Sequence, residues 1–170
     1  YRYRFRVGDH VSPIGRTRTT PAAGAPAEAL RLAFVSCQRR QGGFWTAFDH
    51  LAADEVDLVF HLGDYIYEYP GGDGDLAVAL DEEPATLADY RLLYASYQRD
   101  PKLQAAQAAA PWVITWDDHE VENNYAASIA ERPADQAAFA ARRRAAYQAF
   151  WEHHPIRTDP PAADGSLQVY

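Results

Sequence analysis

The chain has 170 residues, with 24 acids against 16 bases and a formal charge of −8. That length suits one packed domain, and a composition of 48% apolar and 13% aromatic residues excludes a disordered chain. The acidic balance argues against a nucleic-acid backbone as the main partner, because such surfaces need a clustered basic face. It leaves room for a phosphorylated small substrate wherever a cation reverses the local potential. The one cysteine rules out an internal disulfide and leaves the redox compartment open. No stretch approaches a transmembrane span, no signal peptide opens the chain, and a first residue other than Met suggests a processed or excised segment.

Tyr1-Arg2-Tyr3-Arg4-Phe5-Arg6-Val7 alternates aromatic and basic residues with period two, the pattern of a half-buried strand. Residues 1–7 are expected to be the final strand of a preceding β domain. Residues 8–29 turn to Pro, Gly, Thr, Ser and Ala and predict a linker. Residues 30–37 predict the first strand of the main domain, closed by Cys37. After Gly42-Gly43, the residues Phe44, Trp45, Phe48 and Leu51 recur at helical spacing through about Asp54. Residues 56–60 are apolar and rich in β-branched side chains, which predicts a second, buried strand parallel to the first.

His61-Leu62-Gly63-Asp64-Tyr65-Ile66-Tyr67-Glu68 follows that strand. An acid there sits beyond the carboxyl end, where open α/β sheets bind their ligands. Gly63 allows a sharp bend, and Tyr67 is close enough for its phenol to turn back toward Asp64. Residues 69–85 contain Gly71-Gly72-Asp73-Gly74-Asp75 and Asp81-Glu82-Glu83-Pro84, a polar insertion expected to be mobile and looped over the site. Its acids lack the ligand register and closing Glu of an EF-hand calcium loop.

Thr86-Leu87-Ala88-Asp89 has the form of a capping box with Asp in the place of Glu or Gln, and opens a helix with Tyr90, Leu93, Tyr94 and Tyr97 on its core face. Residues 101–110 predict a second, Ala-rich helix with Pro in its first turn. Residues 111–116 predict the third strand, which delivers Asp117-Asp118-His119-Glu120, a crowding of charge that is costly without a cation. Residues 133–152 read as a long amphipathic helix on Phe139, Ala140, Arg143, Tyr147, Phe150 and Trp151, with Arg142-Arg143-Arg144 as its solvated face. His61 and the adjacent His153-His154 are expected to be structural, nothing singles out His10 or His50, and residues 165–170 turn toward a further strand.

Three successive strands therefore end in Cys37, Asp64 and Asp118-His119. A lone Cys closing a buried strand is ordinarily a small hydrophobe, but beside two acids at matching strand ends it reads as a ligand. A thiolate, a carboxylate and a phenolate make a hard, anionic shell suited to trivalent iron. A shared carboxylate can bridge that ion to a second cation held by oxygen donors.

Phe34-Val35-Ser36-Cys37-Gln38, the run from His61 to Glu68, Thr86-Leu87-Ala88-Asp89-Tyr90-Arg91, and Thr115-Trp116-Asp117-Asp118-His119-Glu120-Val121 with Asn123-Asn124 resemble the PhoD-like alkaline phosphatases, within the calcineurin-like metallophosphatases. The resemblance runs in order over residues 30–158. It implies an α/β fold class: residues 30–170 as the first half of a calcineurin-like metallophosphatase β-sandwich with flanking helices, preceded by the last strand of a β domain.

It also implies Cys37, Asp64, Tyr67, Asp118 and Asn124 (or Asn123) as metal ligands, with Asp64 the bridging carboxylate and Tyr67 the iron-bound phenolate. His119 and Asp64 are the implied catalytic residues, Fe3+ and Ca2+ the implied cofactors. Phosphomonoesters and diesters are the implied substrates, export by the twin-arginine route implies a secreted or periplasmic enzyme, and a monomer is expected. Relatives complete the site with Val-x-x-His-like and Gly-Asp-x-His-like segments absent from this sequence, so an internal fragment, inactive alone, is expected. Two alternatives stay open: a phosphodiesterase acting on nucleotides or phospholipid head groups, and a non-catalytic module retaining a metal half-site.

Overall fold

Residues 1–26, 29–72, 77–162 and 165–167 are described by a computed structural model. The alternating stretch at the start does not form one strand. It breaks at Arg4-Phe5 into β1 (Arg2–Tyr3) and β2 (Arg6–Val7), and both find antiparallel partners inside the segment expected to be a linker. β2 pairs with β3 (His10–Val11) across a tight turn in which Gly8 takes φ +57°, and β1 pairs with β4 (Gly15–Arg16). Gly- and Pro-rich composition marks hairpin turns as readily as linkers, and here it marks turns.

Three parallel strands form the central sheet in the order β5 (Leu32–Val35), β6 (Leu58–His61) and β7 (Trp112–Ile114). Between the first two lies α1 (Thr46–Ala53); between the last two lie α2 (Leu87–Gln98) and α3 (Pro101–Ala109); α4 (Gln136–His153) follows. Period-two alternation sorts the sheet into unequal faces. Val35, Val59, His61 and Ile114 turn toward the helices, while Leu32, Phe34 and Val113 are exposed on the other face, with Phe34 and Phe60 stacked at 5.4 Å. Residues 56–60 read as a buried strand, and among the described residues only the helix-facing side of the sheet is covered.

α1 packs on α3, and α2 packs on α4. The capping box of α2 forms as read: Thr86 Oγ1 accepts from the Asp89 N–H at 3.3 Å, and Asp89 Oδ2 accepts from the Thr86 N–H at 2.8 Å. Tyr90, Leu93, Tyr94 and Tyr97 are fully buried. Asp100 caps α3 by accepting from the N–H groups of Lys102 and Leu103.

Three expectations change. Arg142 is not on a solvated face: it is 8% exposed, pairs with Glu122 at 2.9 Å and donates to the Tyr90 hydroxyl at 3.0 Å. Periodicity alone puts it on the edge of the apolar stripe, and a buried carboxylate across the helix pair draws it in. Ala140 is exposed, and the stripe runs instead through Phe139, Ala146, Tyr147, Ala149 and Phe150. The insertion after Tyr69 is in part packed down: Val78 is buried and Ser96 Oγ accepts from the Ala79 N–H at 3.1 Å. Asp73-Gly74-Asp75, and most of the strand expected after Gly165, lie outside the described residues.

His61 and His154 are structural, each packed on Tyr65 with ring centroids 5.2 and 4.7 Å away. Burial pushes the pKa of His61 down to about 4 and that of His154 to about 3. Both stay neutral in the fold but charge in the unfolded chain below about 6.5. Their contribution to stability is therefore complete above that value and is lost as the pH falls toward their folded values, at up to about 1.4 kcal/mol per pH unit for each. His154→Phe, which fills the same aromatic niche and removes a buried, unpaired Nε2, should flatten this acid limb in denaturant titrations between about pH 4.5 and 7. An unchanged slope would show that His154 does not set it.

Candidate metal centre

Because the strands are parallel, all three release their chains at one edge of the sheet. Hydrogen bonding continues past the strand ends: the Leu62 N–H donates to the Val35 carbonyl at 2.9 Å, the Cys37 N–H to Gly63 at 3.2 Å and the Gln38 N–H to Asp64 at 3.1 Å. Cys37 and Asp64 then take left-handed backbone conformations, φ +54° and +56°, each costing a non-glycine residue about 1–2 kcal/mol. Gly63 has φ +107°, and a Cβ there would lie 2.5 Å from Asp117 Cβ and 2.6 Å from its backbone nitrogen. The loops after β6 and β7 thus touch where only glycine fits.

That contact gathers the side chains. The Cys37 thiol donates to Asp64 Oδ2 at 3.3 Å, and the Tyr67 hydroxyl donates to the same oxygen at 3.1 Å. Ligand atoms of Asp64, Asp118 and His119 all lie within 4.8 Å of one another. Cys37, Asp64, Tyr67, Asp118 and His119 are therefore together. Asn124 joins through its backbone, with φ +53° and its N–H on Asp118 Oδ2 at 2.5 Å, and its side chain is exposed. The Asn123 side chain is turned to Glu131.

The donor set fits multivalent cations. Asp64 Oδ1 is buried without a hydrogen-bond partner, and two carboxylates this close repel one another unless a positive charge intervenes. Burial, then the charges of Asp64 and Cys37, push the Tyr67 phenol well above its ordinary pKa. Burial and the charges of Asp64 and Asp118 likewise raise Asp117.

Two buried acids brace the cluster, and the sequence reading did not single out either. Glu68 Oε2 lies 2.7 Å from His119 Nδ1 while its Oε1 accepts from the Asn123 N–H at 2.7 Å. Burial alone would lower the pKa of His119, but the Glu68 hydrogen bond and the charges of Glu68, Asp64 and Asp118 leave it raised. Glu120 accepts from the N–H groups of Asp64, Tyr65 and Asp117 at 3.1, 2.5 and 2.7 Å. Burial lifts its pKa to about 7 against the pull of those bonds. The available signal was position: each acid closes a run that leaves a strand end, where unpaired N–H groups need an acceptor.

A cavity of about 810 Å³ lies at the opposite edge, lined in part by Tyr1, Arg18, Arg31, Asp57 and Pro111. It is the seam between the N-terminal hairpins and the sheet, crossed by the Arg18–Asp57 ion pair, and holds none of the clustered residues.

A family model described as PhoD-like phosphatase matches residues 32–170. The chain belongs to the PhoD-like phosphatase family. It is 48% identical over 175 residues to alkaline phosphatase D of Bacillus subtilis (strain 168), an alignment covering 100% of this chain and 30% of that protein. A solved structure of PhoD matches with a TM-score of 0.93 at 47% identity, covering 100% of this chain and 34% of the other. The chain spans about a third of the length of these relatives.

Within this PhoD-like site, Glu120→Gln would set an amide NH2 against a backbone N–H that now has an acceptor. Unfolding in urea should show a loss of about 1–3 kcal/mol, and an unaltered midpoint would mean that the three bonds carry no net stability.

Proposed function

We propose that the intact protein is a metal-dependent phosphoric ester hydrolase of the alkaline phosphatase type, acting on phosphomonoesters and diesters. The observation that supports this most directly is the meeting of Asp64, Asp118 and His119 within 4.8 Å, with Cys37 and Tyr67 both on Asp64. In this reading Cys37, Asp64 and Tyr67 would hold Fe3+, and Asp64, Asp118 and Asn124 would supply this chain's oxygen donors to Ca2+. When bound, such cations supply Lewis acidity and a nucleophile at neutral pH.

The chain's own groups do the rest. Glu68 fixes His119 through Nδ1, leaving Nε2 to hold a proton against a phosphoryl oxygen or the departing alkoxide. The Tyr67 ring, 4.1 Å from the imidazole centroid to centroid, limits its rotation and shields it from water. Family membership favours a secreted or periplasmic enzyme, and a monomer suffices for the chemistry. Relative rates on mono- and diesters separate this reading from a dedicated phosphodiesterase, and metal analysis of residues 1–170 alone separates it from a non-catalytic half-site.

His119→Ala should lower kcat about a hundredfold or more while bound metal stays at the wild-type level. An unchanged kcat would remove His119 from the reaction. If Tyr67 ligates Fe3+, the iron-loaded protein should be coloured by phenolate-to-iron charge transfer, and Tyr67→Phe should bleach it. An iron-loaded wild type without that absorption would remove Tyr67 from the ligand set.

A further inference from the structure

Two arginines follow Cys37, and the fold treats them differently. Arg40 is buried and paired with Asp100 at 2.7 Å. Arg39 is exposed; its guanidinium lies over the Tyr69 ring, 5.3 Å from the centroid, and among the described residues it meets no carboxylate. A chain with a formal charge of −8 has acids to spare, yet this cation is seated on an aromatic face.

The seat is rigid. Gln41 Nε2 donates to the Tyr69 carbonyl at 2.6 Å. The Tyr97 hydroxyl donates to Gln41 Oε1 at 2.9 Å and accepts from the N–H groups of Tyr67 and Arg40 at 3.0 and 3.4 Å. α2 therefore clamps the turn that carries Arg39 to the segment that carries Tyr67 and Tyr69. The Tyr69 ring meets His119 edge to face at 5.5 Å, so a continuous row runs from the acidic cluster through His119 and Tyr69 to Arg39.

Because the guanidinium covers the Tyr69 face, an incoming ligand meets the cation's N–H edges rather than an open stacking surface. A planar, weakly hydrated guanidinium held this way is suited to paired hydrogen bonds with a phosphate or carboxylate. We propose that Arg39, seated on Tyr69, binds a second anionic group of the substrate, several bonds from the phosphoryl group held at the cluster. The preferred class is then phosphate esters bearing another negative group, such as a second phosphate or a carboxylate. This rests on the hydrolase reading above for the identity of the first anion.

Binding is tested apart from turnover with butanediphosphonate, charged at both ends, and butylphosphonate, charged at one; their C–P bonds resist hydrolysis. Calorimetry on the intact, metal-loaded protein should give about tenfold tighter binding of the diphosphonate, a margin that shrinks with added salt. Arg39→Ala should bring the ratio to about one, Arg39→Lys should keep part of it, and Arg39→Glu should invert it. Equal affinities in the wild type, or a preference that survives Arg39→Ala, overturn the proposal. Turnover of the matching phosphate esters reports on the other reading: an Arg39-dependent preference without cleavage of either ester sinks the hydrolase and leaves the anion site standing. Cleavage of both without preference does the reverse.

Discussion

The buried carboxylate of Glu120 is the joint on which the site depends. By accepting the N–H groups of Asp64, Tyr65 and Asp117 it ties the loop after β6 to the loop after β7. Those loops contain residues that do not hold their conformations unaided, since Asp64 and Asn124 lie in the left-handed region and Gly63 admits no side chain. Strain of that kind persists only where surrounding bonds over-determine it. Glu68 repeats the device one layer outward, receiving the Asn123 N–H while holding His119.

Behind these two acids stands a third tier. Glu122 accepts the Glu131 N–H at 2.7 Å and pairs with Arg142 of α4, while the Tyr90 hydroxyl of α2 donates to the Val121 carbonyl at 2.5 Å. The helices thus grip the middle of the segment that carries His119 and Asn124, at Val121 and Glu122. Tyr90 and Tyr97 of α2 serve two ends at once: their rings fill the core, and their buried hydroxyls find partners in the loops, whereas the Tyr94 hydroxyl is buried without one. Tyr97 does for the loops after β5 and β6 what Tyr90 does for the loop after β7.

What the sequence made legible was whatever depends on local order. Parallel strands with acids or a thiol just past their ends must expose them at one edge, so Cys37, Asp64, Tyr67, Asp118 and His119 could be grouped before any coordinates. The capping box at Thr86 was legible because its partners are three residues apart. Arg142 was not: its burial depends on Glu122 and Glu83, brought from other elements. Glu68 and Glu120 were hidden for the same reason, because their N–H partners become neighbours only once the strands align. The hairpins of the first residues were missed because turn-rich composition does not say whether the chain doubles back. On the sheet, Leu32, Phe34 and Val113 face solvent among the described residues, on the side that a sandwich covers with its second sheet.

The electrostatics of the cluster follow from that bracing. A flexible loop would relieve the crowding of Asp64, Asp117 and Asp118 by swinging one acid into water, and the bonds to Glu120 and Glu68 close that route. The remaining responses are protonation and the capture of a cation. Asp64 Oδ2 accepts hydrogen bonds from the Cys37 thiol and the Tyr67 hydroxyl, and burial and neighbouring charge push the phenol up. A multivalent cation would offset the crowded charge directly, since each proton it displaced would leave an anionic donor directed at the same point. Rigid backbone and acidic side chains are thus one design: the first prevents relaxation, and the second makes positive charge the favoured way to satisfy the site.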